Sequence, residues 1–160
     1  MIDKGQLYQI LTDLRRDELK AYIMYTSCAN YLKGQGLECL GRNVYKLAQQ
    51  ELEHAEELAH RMQDLELWVP SSVQVYDISI DSIESCLTFL TQQEDATIEK
   101  YNAAASGLVG DITTFGLIDH ITTEEWQHRE YFDRALTAFR QGGYTALLNK
   151  SIVRFTESED

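Results

Sequence analysis

The chain has 160 residues, 44% of them hydrophobic, which suits one domain with a real core and excludes a disordered polypeptide. A formal net charge of −12 excludes nucleic acid as a partner. Cys28, Cys39 and Cys86 form no C-x-x-C pair, and residues 1–14 carry no apolar stretch of a signal peptide. No apolar run approaches the ~18 residues of a membrane span, so a reduced, cytoplasmic protein without disulfides is expected.

The first predicted helix covers 3–33, with Asp3 as N-cap and Gln6 at the capping-box position. Its buried seam reads Leu7, Leu11, Leu14, Glu18, Ala21, Tyr25, Cys28 and Leu32. The alternating steps of four and three are those of a bundle helix, and Glu18 stands where Leu would be expected. Gly34 and Gly36 end it. The second helix, 37–65, has the seam Leu37, Leu40, Val44, Leu47, Glu51, His54, Leu58, then Met62 or Arg61, and Leu65. A further pair on this helix, Glu57 and His60, starts six residues past Glu51. At ~100° per residue it faces elsewhere, and it reads as a solvated face.

Residues 66–80 contain the only proline, Pro70, beside Ser71 and Ser72, and lack helical character. Extended, this stretch reaches about 50 Å, and the second helix is about 43 Å long. The connection can therefore run the full length of a bundle. The third helix, 81–108, has Asp81 as N-cap with Glu84 behind it, and the seam Ile83, Leu87, Leu90, Glu94, Thr97, Tyr101, Ala104 and Leu108. Asp111 caps the fourth helix, 111–141, whose seam is Ile118, Ile121, Glu125, His128, Phe132, Ala135 and Phe139. Gly142 and Gly143 stop it, and 144–155 reads as a short fifth helix with Leu147, Leu148, Ile152 and Phe155 apolar. The acidic tail beyond is expected to fray. The architecture is all-α: a single-domain four-helix bundle over 1–160, with a long connection between its second and third helices and a short fifth helix.

Each long helix carries a Glu near its midpoint, so the four meet in one layer whichever way each helix runs. Glu18 and Glu94 lie 76 positions apart, as do Tyr25 and Tyr101. Glu51 and Glu125 lie 74 apart, as do His54 and His128. In both Glu-x-x-His motifs the two side chains share one helical face. Four buried carboxylates repel one another, and each buried ion costs several kcal/mol. Two divalent cations remove that conflict. Oxygen donors with two imidazoles suit Fe²⁺ or Mn²⁺, with Zn²⁺ as a competitor. Di-iron carboxylate bundles use this set: one Glu from each of two helices and Glu-x-x-His from each of the other two.

From Leu7 to about Phe155 the sequence resembles the bacterioferritins of the ferritin-like superfamily. The resemblance rests on Asp17-Glu18-Leu19 with Tyr25, Glu51-x-x-His54-Ala55, Glu94 with Tyr101, and Glu124-Glu125-x-x-His128. It implies a ferroxidase centre holding two Fe ions, with Glu51 and Glu125 bridging. Glu18 and His54 would complete one ion, and Glu94 and His128 the other. It gives Tyr25 the place of an electron donor or ligand-orienting hydrogen-bond partner, while plain core packing explains Tyr25 and Tyr101 equally well. It also implies Fe²⁺ with O₂ or H₂O₂ as substrates and a homo-oligomer closing into a many-subunit cage for iron storage. The fifth helix resembles the element that lines channels in such cages.

The sequence departs from that pattern in two respects, and differs from the related rubrerythrins in a third. Haem-binding members have a methionine after the first bridging Glu; here Leu52 stands there, so no haem is expected by that mode. The His and Asp of an inner-surface iron site correspond to Lys46 and Gln50, so that site is expected to be absent. The additional Glu that rubrerythrins carry on the third helix corresponds to Thr97. Two other readings keep the same fold: a non-storage dimetal peroxidase or manganese-catalase-like enzyme, and an inactive structural bundle. Trp68 is expected to plug a groove in the crossover, Trp126 to point off the seam, and His120 to lie at the surface or in a channel.

Overall fold

Four long helices and one short one account for nearly all of the regular structure in the computed structural model, which describes residues 2–155. They are α1 (Lys4–Gly34), α2 (Glu38–Asp64), α3 (Ile83–Ser106), α4 (Ile112–Leu147) and α5 (Lys150–Val153). The acidic tail expected to fray lies outside the described residues. Within them, no helix is long and apolar enough to cross a membrane.

Asp3 caps α1 by accepting from the backbone N–H groups of Gly5 and Gln6. The α1–α2 turn needs Gly36 at φ 82°, where a side chain would be strained. Asp111 caps α4 by accepting from Thr114 N–H. At α3 the cap is Ser82, not Asp81. The Ser82 hydroxyl accepts from Ser85 N–H, and Ser85 Oγ accepts from Ser82 N–H, so serine chemistry one residue later closes the box.

The crossover, residues 65–82, climbs alongside α1. Arg15 donates to the Pro70 carbonyl at 2.7 Å, Arg16 to the Ser72 carbonyl at 3.1 Å, and the Lys20 ammonium sits 5.5 Å from the centre of the Tyr76 ring. Ile78 and Ile80 then reach the apolar cluster at the far end. This path makes α1 and α3 antiparallel, as are α2 and α4. Trp68 does not plug a groove: it is 77% exposed. Leu67 and Val69 pack inward on either side, and in extended chain their neighbour must face the other way.

One seam position differs from expectation and one open choice is decided. Ile98, not Thr97, is buried between Glu94 and Tyr101, the four-then-three step that returns most directly to the seam. Met62 takes the inner place on α2. The fourth helix breaks where Gly142 and Gly143 were expected to stop it: Gly143 leaves helical geometry at φ 68° and ψ −158°, a kink inside α4. The helical segment beyond it ends at Leu147 and Lys150–Val153 follows separately, so the fifth helix expected over 144–155 comes in two pieces. This end is tied down through the Val153 carbonyl, which accepts from Tyr131 at 2.6 Å and Asn43 at 2.7 Å.

The core is divided. One apolar cluster gathers around Tyr25, Leu32, Leu47, Leu90 and Phe132, the other around Leu11, Leu58, Met62 and Ile121. Between them lies a polar layer contributed by all four long helices.

Candidate metal centre

The polar layer forms because each helix carries a Glu where its seam crosses mid-length. Antiparallel pairing then brings Glu18 opposite Tyr101 and Glu94 opposite Tyr25, with the two Glu-x-x-His motifs of α2 and α4 facing each other. Glu18, Glu51, His54, Glu94, Glu125 and His128 are each at most 1% exposed. Their donor atoms fall into two groups, each within 4.8 Å: Glu18, Glu51, His54 and Glu125, and Glu51, Glu94, Glu125 and His128.

The two groups are related by a near-twofold. His54 Nδ1 lies 3.3 Å from Glu51 Oε2, 2.9 Å from Glu125 Oε1 and 3.7 Å from Glu18 Oε2. His128 Nδ1 lies 2.8 Å from Glu51 Oε1, 3.4 Å from Glu125 Oε2 and 3.7 Å from Glu94 Oε1. Glu51 and Glu125 therefore each offer one oxygen to either group. The imidazole rings lie nearly parallel, with centroids 5.7 Å apart. Glu57 and His60 take no part in either group, and His60 is exposed.

The outer ring of contacts also follows the twofold. Tyr25 on α1 donates to Glu94 Oε1 on α3 at 2.7 Å, and Tyr101 on α3 donates to Glu18 Oε1 on α1. Tyr101, equally readable from sequence as plain packing, thus has a polar partner matching that of Tyr25. Facing outward, His54 Nε2 lies 2.5 Å from Glu124 Oε2, and His128 Nε2 lies 2.6 Å from Gln50 Oε1. Both partners are acceptors, so each ring holds its Nε2–H outward and turns Nδ1 toward the carboxylates, where it can offer a lone pair once a cation replaces its proton. Sequence reasoning missed Gln50 and Glu124 as parts of the site. The signal was available: an acceptor side chain directly precedes Glu51 and Glu125 in both motifs.

Charge in this layer is strained without cations. Burial, then the nearby Glu125 charge, pushes the Glu18 carboxyl above the usual range; burial, then Glu125 and Glu51, pushes Glu94 well above it. Burial pulls the imidazoles down, but the carboxylates around them outweigh it and hold both His54 and His128 well above the ordinary value. Glu125 is raised by burial and by Glu51, yet its contacts with both imidazoles leave it below the ordinary range. Bound protons thus do part of the neutralising.

Glu18 Oε2, Glu94 Oε2 and both oxygens of Glu125 nevertheless remain buried without a well-aligned hydrogen bond, although the imidazoles lie close to Glu125. Such orphans cost about 1–3 kcal/mol each, more when charged. They converge with the Nδ1 atoms of two imidazoles, which on losing a proton complete the donor set that hard-to-intermediate divalent ions take. The residues fit a pair of such ions, one per group.

A family model described as Ferritin-like domain matches residues 8–141. A bacterioferritin from Desulfovibrio desulfuricans (strain ATCC 27774 / DSM 6949 / MB) is 27% identical over 146 residues, covering 90% of this chain and 82% of that protein. An X-ray structure of the Desulfovibrio desulfuricans bacterioferritin, described as showing its diiron site in different catalytic states, superposes with a TM-score of 0.86 at 24% identity. The match covers 98% of this chain and 95% of that one. At that identity it establishes a shared fold.

Proposed function

The chain belongs to the ferritin-like domain family, and from that membership we propose that it is a haem-free ferroxidase that oxidises Fe²⁺ with O₂ or H₂O₂ and stores or detoxifies the product. One observation carries this reading: two four-residue groups share Glu51 and Glu125 and hold buried carboxylate oxygens that no well-aligned protein donor satisfies. The diiron site described for the bacterioferritin structure supports it.

In this reading Glu18 and His54 hold one ion and Glu94 and His128 the other, with Glu51 and Glu125 across both. Two iron ions held there would supply one electron each to the oxidant. The chain supplies the rest. Hard carboxylates favour the ferric state and can shift between one ion and two, while the imidazoles fix each end. Glu124 and Gln50 hold the Nε2 protons so that Nδ1 stays free. Tyr25 and Tyr101 hold the two outer carboxylates in place, and Tyr25 is the candidate electron donor. The apolar clusters above and below keep bulk water out. Leu52, beside Glu51, has no thioether to offer a haem iron. The working form is a cytoplasmic homo-oligomer closing into a cage, with the C-terminal helix lining a channel.

The test is anaerobic titration of metal-free protein with Fe²⁺, then oxygen, with particle size measured on the same sample. Two Fe²⁺ per chain, fast oxidation and a hollow, mineral-bearing particle are expected. Glu94→Ala is expected to abolish fast oxidation with helix content unchanged. Binding without oxidation contradicts the ferroxidase. Turnover of H₂O₂ without mineral would instead support a dimetal peroxidase or catalase.

A further inference from the structure

The near-twofold that relates the two halves of the centre is broken in residue type at one pair of positions among the side chains that touch the imidazoles. Gln50-Glu51-x-x-His54 on α2 and Glu124-Glu125-x-x-His128 on α4 correspond residue for residue, and the residue before each shared Glu bonds to the histidine of the other helix. On the His54 side that partner is a carboxylate, Glu124 Oε2 at 2.5 Å; on the His128 side it is an amide, Gln50 Oε1 at 2.6 Å. The inner contacts of the two imidazoles otherwise match: each Nδ1 faces both shared carboxylates and one outer Glu at 3.7 Å.

We propose that Glu124 and Gln50 are positioning residues that make the two metal positions inequivalent, so that the ion on the His54 side is held tightly and the ion on the His128 side is the exchangeable one. The inference rests on the two-ion reading above. A hydrogen bond to an ionised acceptor is about twice as strong as one to a neutral acceptor. Accepting from Nε2–H, a carboxylate pushes more electron density onto Nδ1 than an amide does, and makes the imidazole the better donor. Glu124 keeps this role despite being partly exposed, because only its Oε1 faces His120, at 3.7 Å, which leaves Oε2 to His54. An exchangeable second position suits a chain whose product ion must leave while the site keeps its shape.

Isothermal calorimetry with Co²⁺ on metal-free protein, with the visible Co²⁺ bands followed in parallel, tests this without any turnover. Repulsion between neighbouring ions also splits an isotherm, so the substitutions carry the test. Glu124→Gln is expected to weaken the first step about 10–100-fold, bringing it toward the second, which stays in place. Gln50→Glu is expected to tighten the second step by a similar factor and leave the first unmoved. Both swaps are isosteric, and helix content checks folding. A Glu124→Gln protein with an unchanged first step, or a Gln50→Glu protein with an unchanged second step, overturns the inference while leaving the two-ion reading intact. Absence of Co²⁺ binding in the unsubstituted protein removes both.

Discussion

The Phe132 cluster and the Glu51 layer are buried to the same degree, 0% and 1% exposed, and they sit on consecutive turns of the same helices. They differ in what completes them. Phe132 meets Tyr25 and Tyr131 edge to face, at 5.6 and 6.0 Å, and nothing further is required. The layer containing Glu51 keeps orphaned carboxylate oxygens and imidazoles held protonated by their neighbours. The apolar clusters fold the bundle; the layer between them is tolerated by it. Burying charge for a ligand costs stability until the ligand arrives.

That contrast can be broken by substitution, and the largest effect is expected in the apolar cluster. Phe132→Ala should cost about 3–5 kcal/mol in denaturant unfolding, by the same amount with and without divalent ions. In the polar layer the sign reverses. The pair Tyr25→Phe with Glu94→Leu removes a buried carboxyl together with its donor, and should stabilise the metal-free protein by about 1–4 kcal/mol while weakening binding of the second ion. A destabilised metal-free double variant would mean that the layer contributes to folding in its own right.

A third, smaller effect is a pH dependence confined to the polar layer. His54 and His128 have folded pKa values well above the ordinary ~6.5. Their contribution is therefore full below about pH 6.5 and is lost as pH rises through the folded values. Glu18 and Glu94, also raised, act in the same direction: the native state holds their protons more tightly than the unfolded chain does. Glu124 and Glu125 are lowered, so their contribution is complete above about pH 4.3 and does not vary in this window. Metal-free protein should lose stability from about pH 4.3 upward through Glu18 and Glu94, and more steeply above about pH 6.5 as the histidines join. Ion-loaded protein should hold its stability better, so the gap between the two melting curves should widen with pH. The smallest effect serves as a control outside both regions. Asp3→Ala removes the α1 cap and should cost about 1 kcal/mol regardless of ions or pH.

The six central residues were legible because burial on a helix leaves a periodic trace. A Glu in a row of Leu at three-and-four spacing has to be inside, and four such rows interrupted at mid-length have to meet. Gln50 and Glu124 left no such trace: they stand at the rim, part in solvent, where polar side chains are ordinary. Reading Gln50 only as the loss of an inner-surface iron site hid its bond to His128. The crossover was legible in length and not in detail, because an extended strand without partners has no period to fix which side chains face in. Trp68 faces out on that account. At the third helix, Asp81 and Ser82 were both suitable caps, and only the reciprocal pairing with Ser85 decided between them. Leu147 is buried while Leu148 is 53% exposed, as neighbours about 100° apart at a helix end can be. Gly143 resets the register between the C-terminal segment and the rest of α4.

The central claim is that the polar layer exists to hold two ions. Native mass spectrometry of metal-free protein, mixed anaerobically with Fe²⁺, tests it most directly, with Glu51→Ala measured alongside. The account predicts a discrete species carrying two ions per chain, with the paired species lost in Glu51→Ala. A featureless spread of adducts, identical in the two proteins, would contradict it.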